Sequence, residues 1–215
     1  MKLVTLSATH GRHSDVDVPD GDVLIHAGDF TRVGNPIEVA AFANWLAHLP
    51  HRHKLVIAGN HERLFQEEPF LARQLLLASD SIRYLQDEEV VIEGVRFWGS
   101  PWTPHFRKWW FTLSRGPELA AHWGRIPEGI DVLITHGPPQ GILDPGFEEE
   151  HAGDADLLAA VLRVAPRFHV FGHLHSGYGI SRAVYQQWDS ARRCTTFVNA
   201  AICDEAYEAV KRLYY

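Results

Sequence analysis

Short apolar runs that end in glycine, histidine, aspartate or asparagine are the feature of this 215-residue chain that most limits its fold. The runs are four to six residues long and apolar almost throughout, which is typical of strands buried on both faces of a sheet. Five of them, each with the residues that follow it, are KLVTLS before THG, DVLIHA before GD, KLVIA before GNH, DVLIT before HGPP, and FHVF before GHLH. Because ligands bind outside the carboxyl ends of strands in α/β sheets, the pattern predicts a site where these ends converge.

Helical patterns lie between the apolar runs, so the sequence predicts strand–helix–strand units with parallel strands. In segment 35–50, Asn35 is expected to be the N-cap and Pro36 the first helical residue. Segments 68–79 and 153–166 have similar helical patterns. The apolar face predicted for the first helix contains Ile37, Ala40, Ala41, Trp45 and Leu49.

Two later segments, 81–102 and 177–201, alternate in hydrophobicity and predict antiparallel hairpins. The first of them contains the turn-like pair Glu93-Gly94. Since the chain has no repeat, low-complexity tract or linker, residues 1–215 are expected to form a single α/β domain.

Composition limits the partners of the protein. A net charge of −7 argues against a broad basic surface that binds long duplexes, but not against a nucleotide or a short single strand held by metal ions. The two cysteines, Cys194 and Cys203, could pair, but a reduced, cytoplasmic protein is the simpler interpretation. We find neither a secretory signal nor an apolar run that could span a membrane.

The residues at the strand ends are nitrogen and oxygen donors that suit Mn²⁺, Fe²⁺ or Zn²⁺. Each motif alone has an ordinary structural explanation: Gly-Asp is a common turn, and Asn-His is a common helix start. The pair His173 and His175 is more informative, because both rings of an extended His-X-His segment point to one side. The occurrence of all five motifs at successive strand ends favours a metal site.

Taken together, these motifs resemble the calcineurin-like metallophosphoesterase superfamily, whose pattern is Asp-x-His, Gly-Asp, Gly-Asn-His-Asp/Glu, a lone His and Gly-His-x-His. Further stretches, among them GSPWTPHF, IPEGIDVLITHGPPQGILD and FVNAAICD, resemble one branch, the metallophosphoesterase-domain-containing proteins. The resemblance covers nearly the whole chain. It implies the metallo-dependent phosphatase fold, a four-layer αββα sandwich with two mixed β-sheets and a metal site at one edge.

The resemblance also implies a role for each motif residue. Two divalent metal ions, most simply Mn²⁺ with Fe²⁺ or Zn²⁺ as alternatives, would share Asp29. His61 would not bind metal but would lie beside the reacting phosphate as the catalytic residue. The metal ligands implied by the resemblance are His10, Asp29 and His175 for the first ion and Asp29, Asn60, His136 and His173 for the second.

Such a centre suits the hydrolysis of phosphate esters. Two ions neutralise and orient the phosphate and acidify a bridging water, which makes a hydroxide nucleophile. His61 could stabilise a phosphate oxygen or protonate the leaving oxygen. The sequence therefore predicts a metal-dependent phosphodiesterase acting on nucleotide-type phosphodiesters, with His61, Asn60, His105 and Arg107 as substrate-binding residues. The alternatives are a non-catalytic nucleotide-binding or scaffold protein of the same fold, and a phosphomonoesterase.

Position 8 departs from the family pattern, because the chain has alanine where the pattern has aspartate. A methyl group coordinates nothing, so the first metal site is expected to be weakened while the second keeps its full set. The alanine is either a natural loss in a binding protein or an engineered Asp→Ala change. Natural decay tends to remove several motif residues, so the intact remainder favours the second explanation.

Overall fold

The structure is a computed structural model that describes residues 1–77, 79–146, 151–186 and 192–215. The strands are β1 Leu3–Leu6, β2 Val23–Ala27, β3 His53–Ile57, β4 Ile82–Tyr84, β5 Glu88–Ile92, β6 Val95–Ser100, β7 Thr103–Pro104, β8 Thr112–Leu113, β9 Val132–Thr135, β10 Phe168–Phe171, β11 Gly179–Gln186 and β12 Arg192–Asn199. The helices are α1 Pro36–His48, α2 Arg63–Glu67, α3 Pro69–Leu76, α4 Pro117–Trp123 and α5 Ala155–Val164.

Two large sheets organise these strands. The first has the order β1-β2-β3-β4, and its four strands pair in parallel. The second has the order β11-β12-β10-β9-β6-β5 and is mixed, because β5 and β11 are antiparallel to their neighbours. Both sheets were expected to be mixed. Among the described residues, the antiparallel pairing of the first sheet consists of one isolated bridge between Thr5 and Tyr214.

Three apolar clusters make the molecule four-layered. The central cluster joins Val23, Ile25 and Leu55 of the first sheet to residues such as Val132 and Val170 of the second. Because side chains alternate along a strand, the intervening residues face outwards and pack on helices. Leu24 and Val56 lie with α1 and α3, while Leu133 and Phe171 lie with α4 and α5. This arrangement confirms the predicted αββα sandwich and explains why the strands are apolar on both faces.

Helix α1 begins as the sequence predicts, but its buried face is different. Asn35 and Glu38 form a capping box at its N-terminus, with Pro36 in the first turn. The predicted apolar face is wrong for Ile37, which is 81% exposed, and for Ala40 and Ala41, which are also exposed. Its other two residues, Trp45 and Leu49, are partly buried against the apolar cluster. The residues that the helix buries instead are Val39, Phe42, Ala43 and Leu46. This stripe follows the i, i+3, i+4, i+7 spacing that places side chains on one helical face.

The other predicted elements have mixed outcomes. The hairpin β5–β6 turns at Glu93-Gly94, and β11–β12 is antiparallel, so both hairpins are confirmed. The sequence analysis missed the short helices α2 and α4 and the two-residue parallel pair β7–β8, which are too short to carry a clear periodic signal. Cys194 and Cys203 are both free thiols. No helix within the described ranges is long and apolar enough to cross a membrane.

The two sheets meet at the carboxyl ends of their strands. Ser7, directly after β1, donates its hydroxyl to the carbonyl oxygens of Ala27 and Gly28 at 2.9 and 3.0 Å. The Ser7 amide donates to Ala200, which follows β12 in the other sheet, at 2.8 Å. Gly172 leaves room for this junction, because a side chain at that position would collide with the Ser7 hydroxyl. The strand ends that carry the motifs are thereby held at one edge of the sandwich.

A buried histidine makes the stability of this fold depend on pH. His169 is fully buried in the six-stranded sheet, where Nε2 lies 2.8 Å from Thr135 Oγ1, and burial lowers its pKa to about 3. The unfolded chain gains a proton below its ordinary pKa of about 6.5 while the folded chain does not. Between pH 6 and pH 4, this one residue therefore lowers the free energy of unfolding by about 1.4 kcal/mol for each pH unit. We expect His169→Gln to abolish that part of the decrease.

Urea unfolding at several pH values checks this expectation. The matched control is His48→Gln on the exposed end of α1, which should leave the pH profile parallel to that of the unmodified chain. A His169→Gln profile that also runs parallel to the unmodified one would contradict the assignment.

Candidate metal centre

Two groups of metal-ligating side chains lie at the edge where the sheets meet, and Asp29 belongs to both. One group contains His10, Asp29 and His61, and the other contains Asp29, His136 and His173. Within each group the ligand atoms lie within 4.8 Å of one another. Asp29 is 2% exposed, so its carboxylate faces these histidines rather than solvent.

The second predicted site is assembled from four strand ends. Asp29 Oδ2 lies 3.3 Å from His136 Nε2, and the same nitrogen lies 2.9 Å from Asn60 Oδ1. The ring of His173 is 4.8 Å from that of His136, centroid to centroid. Asp29 follows β2, Asn60 follows β3, His136 follows β9 and His173 follows β10, so both sheets contribute. All four predicted ligands of the second ion are therefore brought together.

The first predicted site contains three ligands and no side-chain oxygen from position 8. His10 Nε2 lies 3.1 Å from His175 Nε2 and 4.0 Å from Asp29 Oδ2. Ala8 is fully buried next to this group, and its amide donates to the Gly28 carbonyl at 2.9 Å. Position 8 therefore lies at the end of the same strand as His10, beside the loop that carries Asp29, and its methyl group offers no ligand atom.

The two histidines of the GHLH motif do not act as a pair on one side of an extended segment, as the sequence analysis expected. His173 has a left-handed backbone with φ of 66°, and His175 begins a 3-10 turn, His175–Gly177. The chain therefore bends between them. As a result His173 faces His136 in the second group, while His175 faces His10 in the first.

Several site residues have a backbone conformation that side chains other than glycine rarely adopt. The φ angles of Ala8, His10 and Asp29 are 52°, 44° and 58°. Such strain persists only where the surrounding structure enforces it, and it is common at functional sites. Position 59 requires glycine because His136 lies too close for a side chain: a Cβ there would be 2.5 Å from Cε1 of His136.

Backbone carbonyl groups orient the histidine rings. His136 Nδ1 donates to Ala27 O at 3.0 Å, and His175 Nδ1 donates to Asp204 O at 2.9 Å. His61 Nδ1 donates to Arg32 O at 2.6 Å. A carbonyl only accepts, so each ring carries its proton on Nδ1 and leaves Nε2 for a ligand. Metal-binding histidines are commonly oriented in this way.

Both ring nitrogens of His136 face hydrogen-bond acceptors. Its Nδ1 faces the Ala27 carbonyl, and its Nε2 faces the carboxylate of Asp29. A neutral imidazole has a single N–H, so a cation or a second proton must lie between Nε2 and the carboxylate. Burial lowers the pKa of His136, but Asp29 outweighs burial and raises it. Burial likewise acts to raise the pKa of Asp29, yet His136 and His61 hold it well below its usual range.

Two further histidines of the site, His10 and His173, have lowered pKa values. Burial lowers the pKa of His10 to about 3, although Asp29 opposes the shift. Burial also lowers the pKa of His173 to about 3. Metal ligation requires neutral imidazole, so these rings are in the state that a metal ion needs.

Glu62 is a functional residue whose role the sequence analysis missed. It is fully buried, and its carboxylate accepts hydrogen bonds from the amides of Asp29, Thr31 and Gly59 at 2.6–2.9 Å and from the Thr31 hydroxyl at 2.8 Å. Burial, with the charge of Asp29, raises its pKa to about 7. Glu62 thus ties together the loops that follow β2 and β3. The fourth position of the GNHE motif was the available signal.

His61 is itself a member of the first ligand group, although the resemblance implies that it contacts phosphate rather than metal. Its amide donates to Asp29 Oδ1 at 3.0 Å, and its ring is 4.6 Å from that of His10. Trp109 lies on its other side, with ring centroids 4.2 Å apart and planes inclined by 30°. Tyr207, for which the sequence carried no signal, lies 4.6 Å from the His10 ring.

The two weaker substrate-binding predictions lie outside this cluster. His105 and Arg107 are exposed on the loop between β7 and β8, two to four residues before Trp109. His105 Nδ1 is 2.7 Å from Thr112 Oγ1, and the Arg107 guanidinium lies 5.1 Å from the Phe106 ring. These contacts lie within the loop and its flanking strand, and the role of both residues in substrate binding stays a prediction.

Comparison with known proteins agrees with this geometry. The calcineurin-like phosphoesterase family profile matches residues 7–177. Metallophosphoesterase domain-containing protein 1 of Homo sapiens is 43% identical over 97% of this chain and 68% of its own length. A UPF0046 protein of Caenorhabditis elegans is 41% identical over 99% of this chain and 73% of its own length.

Solved structures share the fold at low identity. One superposes with a TM-score of 0.68 and 16% identity, over 93% of this chain and 90% of the other. The crystal structure of TT1561 of Thermus thermophilus gives a TM-score of 0.60 and 13% identity, over 99% of this chain and 96% of the other. With the matching profile, the relatives and the shared fold, the chain belongs to the calcineurin-like phosphoesterase family, which indicates a metal-dependent phosphoester hydrolase.

Proposed function

We propose that this protein is a phosphodiesterase that uses a binuclear divalent metal centre on nucleotide-type substrates, and that Ala8 impairs its first metal site. The proposal depends mainly on one observation: both ring nitrogens of His136 face hydrogen-bond acceptors, and one of these acceptors is the Asp29 carboxylate. Nε2 of His136 lies 3.3 Å from a buried carboxylate oxygen, which requires a second proton or a cation between them, and the proposal is that a divalent cation lies there. The second group, together with Asn60, supplies carboxylate, amide and imidazole ligands around that position.

The donor set fits Mn²⁺, with Fe²⁺ or Zn²⁺ as alternatives. Asp29, Asn60, His136 and His173 supply two oxygen and two nitrogen ligands and no thiolate, which suits a borderline divalent ion. When bound, such ions neutralise phosphate charge and lower the pKa of water. Asp29 would bridge the two positions, since its carboxylate is shared by both groups.

His61 is the residue of this chain best suited to act on the phosphate itself. Its Nδ1 donates to the Arg32 carbonyl, so Nε2 is the atom that faces the site, and it would donate to a phosphate oxygen or a leaving oxygen when the ring carries a second proton on Nε2. The bond from its amide to Asp29 fixes the distance between this ring and the metal ligands. Asn60 would orient the substrate from the other side.

Ala8 supports a second candidate function, a nucleotide-binding or scaffold protein without turnover. Loss of one anionic ligand makes the centre more positive by one charge, which favours retention of an anion over its release. The second site keeps its ligands, so a phosphate could still be bound there.

Restoration of the missing ligand tests both functions. We expect Ala8→Asp to raise Mn²⁺-dependent hydrolysis of an aryl phosphodiester at least about tenfold at pH 6–9, since losses beyond the ligand shell already cost that much. Aspartate also suits the left-handed backbone at φ 52° better than alanine does. A larger Mn²⁺-induced rise in melting temperature should accompany the gain.

The matched control is Ala8→Asn, which relieves the same backbone strain without adding charge. It should leave both the hydrolysis rate and the Mn²⁺ effect far below those of Ala8→Asp. If the aspartate variant hydrolyses no ester, the protein is a binder and the phosphodiesterase proposal is wrong.

Substrate class can be separated on the same Ala8→Asp variant. A diester keeps a single negative charge and needs less neutralisation than a monoester dianion. We expect aryl phosphodiester turnover to exceed aryl phosphomonoester turnover in kcat/KM. The opposite order at every pH between 6 and 9 would identify a phosphomonoesterase.

The shared carboxylate can be tested without turnover. Asp29→Asn removes the one charge common to both ligand groups, so Mn²⁺ affinity should fall by at least about tenfold. Elemental analysis after dialysis measures the metal content. Asp87→Asn is the control, because Asp87 bonds Ser100, His122 and Trp102 in a separate network and should leave the metal content unchanged.

A further inference from the structure

Two aromatic side chains from distant parts of the chain flank the histidines of the candidate centre. Trp109, in the loop after β7, lies against His61. Tyr207, near the C-terminus, is perpendicular to His10 at 4.6 Å and to His175 at 5.5 Å. The Tyr207 and His61 centroids are 6.3 Å apart. Both aromatic rings thus border the side chain that is best suited to contact a phosphate.

Tyr207 is not needed for the core. Its side chain is 37% exposed, and its backbone is left-handed with φ of 63°. A tyrosine in this conformation costs free energy and persists where the surrounding structure enforces it. Its ring contacts are with three histidines of the candidate centre, His10, His61 and His175.

A rigid turn presents Tyr207 to the site. The Asp204 carboxylate accepts from the amides of Ala206 and Glu208 at 2.9 and 3.0 Å, and the Asp204 carbonyl accepts from the Tyr207 amide at 3.0 Å. That same carbonyl accepts from Nδ1 of His175. The position of Tyr207 is therefore coupled to the orientation of a metal-ligating ring.

Two cationic side chains attach this turn to the rest of the molecule. Arg12, two residues after His10, forms an ion pair with Glu208. Lys211 Nζ donates to the carbonyl oxygens of His175 and Cys203 at 2.6 and 2.7 Å. The turn thus bonds directly to the loops that carry His10 and His175, and the aromatic ring it presents has a defined place beside them.

We propose that Trp109 and Tyr207 are specificity residues that bind a flat, unsaturated ring carried by one ester arm of the substrate, as a nucleobase is. This inference rests on the proposed phosphodiesterase function and names the part of the substrate that its site recognises. Exposed aromatic rings stack on bases of any sequence, because every base has a π-face. The phosphate is held by the metal ligands and His61, and the ring lies on the aromatic side chains beside them.

The test measures binding to the Mn²⁺-loaded protein by calorimetry, with adenosine 5′-monophosphate, ribose 5-phosphate and inorganic phosphate as probes. We expect the unmodified chain to bind the adenosine nucleotide about tenfold more tightly than ribose 5-phosphate, the increment expected from one stacked base. Tyr207→Leu and Trp109→Leu should each reduce this ratio severalfold and leave the affinity for inorganic phosphate unchanged. Tyr207→Phe keeps the ring and should keep the ratio.

Phe70→Leu is the control and should leave the affinity ratio unchanged, because Phe70 is an aromatic residue on α3 that is 83% exposed. The proposal is wrong if the unmodified chain does not prefer the nucleotide, or if the leucine variants keep the preference. It is also wrong if they weaken phosphate and nucleotide equally, which would indicate that the rings only support the histidines. Failure of Ala8→Asp to hydrolyse esters would instead overturn the proposed function, since the binding ratio is measured without turnover.

Discussion

The contact between the two sheets at the carboxyl ends of their strands is the constraint on which the site depends. The Ala27 carbonyl at the end of β2 accepts from Ser7 after β1 and from His136 after β9. One backbone oxygen therefore ties two strand ends of the first sheet to a ligand from the second. Gly28 and Gly59 permit this approach, because a Cβ at Gly28 would lie 2.6 Å from His136 Nδ1. Without this close contact the ligands from the two sheets would not reach a common ion.

Negative charge at the centre is concentrated in Asp29, and acceptors surround it. Its carboxylate lies near His10 and His136, and the buried Glu62 carboxylate lies just behind its backbone. Buried groups of this kind need cations or protons between them, since leaving them unpaired is costly. The alanine at position 8 removes one such group from the first site and none from the second. Under the proposed function, this asymmetry reduces turnover and leaves a site that can bind phosphate.

Two acidic residues outside the candidate ligand groups, Glu62 and Asp204, hold loops of the site in place. Glu62 joins the loops after β2 and β3 by accepting from backbone amides. Asp204 does the same for the turn that carries Tyr207, while its carbonyl orients His175. Both groups position backbone rather than substrate, so their effect on the chemistry is indirect. The ligands can be strained at φ values near 50° because such bonds hold their loops in place.

Local patterns in the chain predicted parallel strand–helix–strand units and a metal site at the strand ends, because buried strands must be apolar and their polar ends are close in sequence. The four-layer sandwich and the ligands of each ion were implied by the resemblance to a known family. Local patterns left the buried face of α1 undecided, because two interleaved sets of apolar residues have helical spacing and only packing selects Val39, Phe42, Ala43 and Leu46. They also did not separate His173 from His175, because the bend between them comes from backbone angles that the surrounding loops impose. The meeting of Trp109 and Tyr207 with the histidines depends on tertiary packing alone. These residues are 98 positions apart (207 − 109), and no local pattern records a contact over that distance.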